Sequence, residues 1–170
     1  MVAAFALTLL ALTASPAVAV SDTDPDDAQG PLDLRGIDAR FTQHDLRLTV
    51  SFHHDFRRSA LRGAGGKGVR LKLGKTQSGR LKGYFAHPRH GRLIFRYGDG
   101  ALGGSLGCID KKARVRRPST NVLRVTFPII RGTYRVRALS RWVNGAGDAV
   151  KDGTGWLNLG RHVGIVPHCG

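Results

Sequence analysis

The chain has 170 residues and a formal net charge of +15, with 27 lysines and arginines against 12 aspartates and no glutamate. Such a basic balance attracts polyanions in a salt-sensitive way, and the length fits one domain that buries about two-thirds of its unfolded surface. One apolar run opens the chain and no second long one follows, so no further membrane-spanning helix is expected.

That opening run, Met1 to Ala14, carries no charged side chain and leads into SPAVAV, with Ala17 and Ala19 at the small-residue positions of a cleavage site. Residues 1–19 therefore read as a secretory signal peptide, and the remainder as a secreted, extracytoplasmic protein without a transmembrane segment. Residues 20–30 are acidic and broken by Pro25, which reads as a flexible arm. The arm's aspartates would suit calcium, but they lack the glycine and glutamate of an EF-hand loop.

From residue 31 to 160 the dominant signal has period two. In LDLRGIDARF, Leu32 and Leu34 share a face, and after Gly36 the apolar set shifts to Ile37, Ala39 and Phe41, which predicts a bulge or bend at the glycine. DLRLTVSF alternates Leu46, Leu48, Val50 and Phe52 with polar residues. GVRLKL, RLKGYF, RLIFRY, NVLRVTF and TYRVRALS repeat the pattern. Turn-forming segments such as GAGGKG, KTQSG, HPRHG, GDGALGG, RRPSTN and NGAGD separate them, and only DFRRSALRG suits a short helical turn.

Strands so spaced, with almost no helical periodicity, predict an all-β, jelly-roll-like sandwich of two antiparallel sheets. Alternation then turns Arg47, Arg70, Lys72, Lys82, Arg92, Arg96, Arg124, Arg135 and Arg137 outward. That distribution suits a solvated surface that resists edge pairing, and it also suits a polyanion-binding face. Residues 161–170 form a C-terminal tail.

The segments DPDDAQGPLDLR, RRPSTNVLRVTFP and YRVRALSRW together resemble small secreted β-sandwich proteins of actinobacteria. The resemblance implies a sandwich similar to carbohydrate-binding or DOMON-like modules, and no assigned activity. Such proteins often place a cysteine after the tryptophan, where this chain has VNGAGDAVKDGTG.

GSLGCIDK, Gly104 to Lys111, contains one of the two cysteines. With His90 upstream it has the outline of an L,D-transpeptidase, in which a thiolate needs a base and oxyanion donors. Leu106 stands where that family has histidine, and Asp110 would oppose a thiolate. The favoured reading is a disulfide between Cys108 and Cys169, as expected of a cysteine pair in an exported chain.

His53 and His54 are adjacent, so a regular strand would turn them to opposite faces; His87 and His90 flank a proline turn. No metal site is assigned to them. Asp99, Asp148 and Asp152 suit turns or a structural calcium ion, and no cofactor is expected.

Tyr84, Tyr97, Tyr134, Trp142 and Trp156 are the larger aromatics that could stack on sugar, and the two tryptophans bracket the Gly/Asp loop. The sequence thus reads as a non-catalytic binding module. Trp142 and Trp156 are its candidates for an extracellular glycan, and Arg135 and Arg137 for a polyanion. The alternatives are a cysteine enzyme built on Cys108 and His90, and a structural envelope protein without ligand.

Overall fold

A period-two pattern becomes a strand where one face finds a second layer to cover it. In Asp45–Phe52, Leu46, Leu48, Val50 and Phe52 are fully buried while Arg47 is exposed. The computed structural model describes residues 19–42, 44–61, 68–75, 81–86, 91–97, 108–128 and 134–160. Its strands are β1 (Ala19–Thr23), β2 (Leu34–Phe41), β3 (Asp45–Phe52), β4 (Gly68–Lys75), β5 (Leu81–Ala86), β6 (Ile94–Tyr97), β7 (Arg114–Ser119), β8 (Val122–Pro128), β9 (Tyr134–Val143), β10 (Ala149–Gly153) and β11 (Leu157–Asn158). The short helical turn expected after β3 is a 3-10 turn at Arg58–Leu61, with Leu61 buried.

The strands form two antiparallel sheets, ordered β1-β2-β3-β8-β7 and β10-β9-β4-β5-β6, with β11 added to β9. The predicted all-β sandwich of two antiparallel sheets is the observed class, whereas the strand order is not that of a jelly roll, which corrects that part of the expectation. β3 pairs with β8 in the first sheet, and their successors β4 and β9 pair in the second. Taken in sequence, β2 to β10 follow the strand order of an immunoglobulin variable-type Greek-key sandwich.

The core lies between the sheets. Leu48, Val50, Leu123 and Val125 of the first sheet meet Leu71, Phe85, Val136 and Ala138 of the second. Phe95 of β6 meets Phe127 of β8 edge-on, with ring centroids 5.1 Å apart. Each such large side chain contributes about 1.5–3 kcal/mol by leaving water.

Two sequence expectations change. The arm predicted over 20–30 is not free, because Ala19–Thr23 forms β1 and pairs with β2 from Ala19↔Arg40 to Thr23↔Gly36. This edge strand is joined through its backbone, with Val20 packed against the core, so it leaves little apolar pattern to read. Gly36 permits the pairing: a Cβ there would lie 2.4 Å from the Asp22 carbonyl oxygen. The β2–β3 register shifts between Leu34 and Gly36, where the apolar phase changes. RRPSTN is also not all turn, since β7 continues to Ser119. Pro118 is tolerated because β7 is an edge strand whose register shifts between Arg116 and Ser119.

Candidate functional site

Two features stand out chemically: a basic sheet face and an acidic end. In the second sheet Val69, Leu71 and Leu73 of β4, and Val136, Ala138, Ser140 and Trp142 of β9, point inward. The alternate positions hold Arg70, Lys72, Arg135, Arg137 and Arg141, joined by Arg96 of β6 and Lys151 of β10. Lys72 pairs with Arg137, and Lys151 with Arg141. Pairing across strands about 4.8 Å apart makes these cations neighbours. No acidic residue occupies an outward register position of this sheet among the described residues. A shallow groove of about 360 Å³ at the β4–β9–β10 side is lined by Arg70, Lys72, Arg141, Lys151 and Asp152, among others.

The outer face of the first sheet carries ion pairs of its own. Asp38 pairs with Arg40 at 3.3 Å, and Asp45 with Arg114 at 2.5 Å. Its arginines are thus partly compensated.

The two tryptophans do not form one platform. Trp142 is 3 % exposed and closes the core, with Gly30 pressed against its indole. A buried ring offers no face to a sugar, so the stacking role expected of Trp142 is corrected. Trp156 is half-buried beneath two guanidinium groups, with Arg135 at 4.3 Å and Arg137 at 5.0 Å from the ring centroid. The indole braces the two predicted polyanion contacts by cation–π attraction. Tyr97 is buried, whereas the side chains of Lys82, Tyr84 and Tyr134 lie outside the described residues.

The segment Cys108–Asp110 extends the second sheet at β6. Tyr97 N donates to Cys108 O at 2.8 Å, Ile109 bridges to Arg96, and Asp110 N donates to Phe95 O at 2.9 Å. The Asp110 carboxylate is buried and accepts the backbone N–H groups of Lys112 and Ala113 at 2.8 and 2.9 Å. It therefore shapes the turn into β7, a local satisfaction of backbone donors. Cys108 packs against the core, and no cysteine is free among the described residues. His87, His90, Asp99 and Cys169 lie outside the described residues.

Acidic residues gather where β3 leads to β4. Asp22, Asp24, Asp26, Asp27 and Asp33 come from β1 and the loop after it, and Asp152 from β10. Asp152 accepts the N–H of Leu34, while Asp148 holds the Asn144–Asp148 turn by accepting from Asn144 Nδ2 at 3.4 Å. Burial and then the Asp152 carboxylate push Asp24 up to about 7. Burial, then Asp26 and Asp152, push Asp33 up to about 6 against an opposing pull from His53. One ligand atom each from Asp26, Asp33 and His54 lie within 4.8 Å of one another.

Reading by segment missed this convergence, because His54 and the acidic loop are distant in sequence. The nearest signal was the density of aspartates just before a strand. No helix among the described residues is long and apolar enough to cross a membrane. No known family, curated protein or solved structure matches this chain.

Proposed function

We propose that the protein is an exported, non-catalytic module that binds an anionic polymer of the cell envelope through the outer face of the β10-β9-β4-β5-β6 sheet. The observation that carries this reading is a sheet face with basic side chains in register on adjacent strands, Lys72 beside Arg137 and Lys151 beside Arg141. Arginine suits the role, because its planar fork meets phosphate or carboxylate oxygens in pairs. Trp156 holds two of these forks in place, which lowers the ordering cost of binding.

A disulfide between Cys108 and Cys169 belongs to the same reading. It would tie the C-terminal tail to the strand-like segment beside β6. The glycan-stacking version loses ground, since one of its two rings is buried and the other lies under guanidinium groups.

The test uses long-chain inorganic polyphosphate as probe. Binding should fall steeply with salt, as counterion release requires. Arg137→Glu should weaken it at least about tenfold, whereas Arg47→Glu, on the outer face of the first sheet, should have a much smaller effect. Salt-indifferent binding, or equal losses from both variants, would remove the sheet-face reading.

A further inference from the structure

Asp33 is 0 % exposed, and among the described residues neither carboxylate oxygen accepts from an N–H or hydroxyl donor, the Asp26 carboxyl group being the side chain that reaches it. A buried carboxylate left in this state is costly unless a cation or proton meets it. No lysine or arginine forms an ion pair with Asp26, Asp33 or His54 among the described residues, although the chain is strongly basic. Among the described residues, the ion-pair geometry there is His54 Nε2 at 3.8 Å from Asp26 Oδ1.

The geometry points to a binding site for a first-row divalent cation of the zinc type, formed by Asp26, Asp33 and His54. Their ligand atoms already lie within 4.8 Å of one another. Zinc bonds of about 2.0–2.2 Å set neighbouring tetrahedral donors about 3.3–3.6 Å apart, so a small inward movement completes the set. Two carboxylates and an imidazole suit a borderline ion, whereas calcium prefers six to eight oxygen donors. Three protein ligands leave a fourth position for water.

His53 positions the site. Its Nε2 lies 3.0 Å from the Asp24 carbonyl oxygen, and its backbone N–H donates to the Asp33 carbonyl oxygen at 3.0 Å. One residue thus links both sides of the acidic loop to the end of β3, immediately before His54. A bound ion would fasten that loop to the sandwich. This inference is independent of the basic sheet face.

The test is zinc titration of the chelator-treated chain, read by calorimetry and thermal melts, with cobalt(II) absorption as a second readout. One zinc should bind, and the melting temperature should rise by about 5–10 °C at a hundredfold excess over Kd. Cobalt should give the visible bands of a four-coordinate ion. His54→Ala and Asp26→Asn alter exposed side chains, so the metal-free melt should move by no more than about 2 °C. Each should weaken zinc binding about 100-fold, while His44→Ala leaves it unchanged. The inference is overturned by absence of zinc binding, by full retention in the His54 and Asp26 variants, or by stabilisation with calcium and not zinc.

Discussion

The backbone N–H of Leu34 donates to Asp152 Oδ2 at 2.6 Å, across 118 positions of sequence and from one sheet to the other. Leu34 is fully buried, so this carboxylate satisfies a donor that water does not reach. Asp152→Ala should destabilise the fold by about 1–3 kcal/mol, because the N–H is left without an acceptor. Asp152→Asn keeps an oxygen in place and should cost less. Urea unfolding of both variants checks the order, and equal losses would show that charge, not the acceptor, matters there.

The acidic end should also make stability depend on pH. Asp24 at about 7 and Asp33 at about 6 lie above ordinary carboxyl values, so the native state holds more protons than the unfolded chain between about pH 4 and 7. These groups should reduce metal-free stability as pH rises through that window. Urea midpoints measured in EDTA at pH 5 and pH 8 should differ by less in Asp24→Asn than in the parent chain. An unchanged difference would contradict the assignment.

Gly30 should tolerate no side chain. Its φ is 157°, and a Cβ would lie 2.2 Å from Trp142 Nε1. Gly30→Ala should destabilise the protein by about 2–3 kcal/mol, through overpacking and an unfavourable backbone angle. Tryptophan fluorescence should shift to the red as the indole meets water, and an unshifted spectrum with full stability would contradict the contact.

The proposed Cys108–Cys169 bond predicts no reactive thiol in the oxidised protein under denaturing conditions. Replacing both cysteines with serine should cost about 4 kcal/mol by loop entropy, with roughly 2–5 kcal/mol the usual range. A fast-reacting thiol on the native protein would instead favour the cysteine-enzyme alternative.

Trp156→Ala leaves the charge unchanged but frees Arg135 and Arg137 from the indole. Polyphosphate binding should weaken about two- to fivefold with nearly the same salt dependence, since a cation–π contact contributes about 0.5–1 kcal/mol at exposed sites. Loss of the salt dependence itself would mean that the tryptophan acts by holding the fold.

Alternation made the inner strands legible. Leu46 to Phe52, Val69 to Leu73 and Leu123 to Phe127 each carry a complete buried face in their own sequence. β1 and β10 do not, because AVSDT and AVKDG are edge strands held largely by backbone pairing. Trp142 was misread for a related reason. It ends the inward series Val136, Ala138, Ser140, Trp142, and the buried polar Ser140 interrupts that series. The arginines of β4 and β9 could be placed outward from the sequence, but their register across the sheet could not. Nor could the meeting of Asp33 with His54, which depends on the loop from β1 folding over the end of β3.

The aspartates after β1 and the basic side chains on adjacent strands of the second sheet place opposite charges on different parts of the molecule. In the field of a negatively charged surface such a body feels a torque before it makes contact. The second sheet would be drawn inward and the aspartate-rich end turned outward, so orientation would be selected during approach.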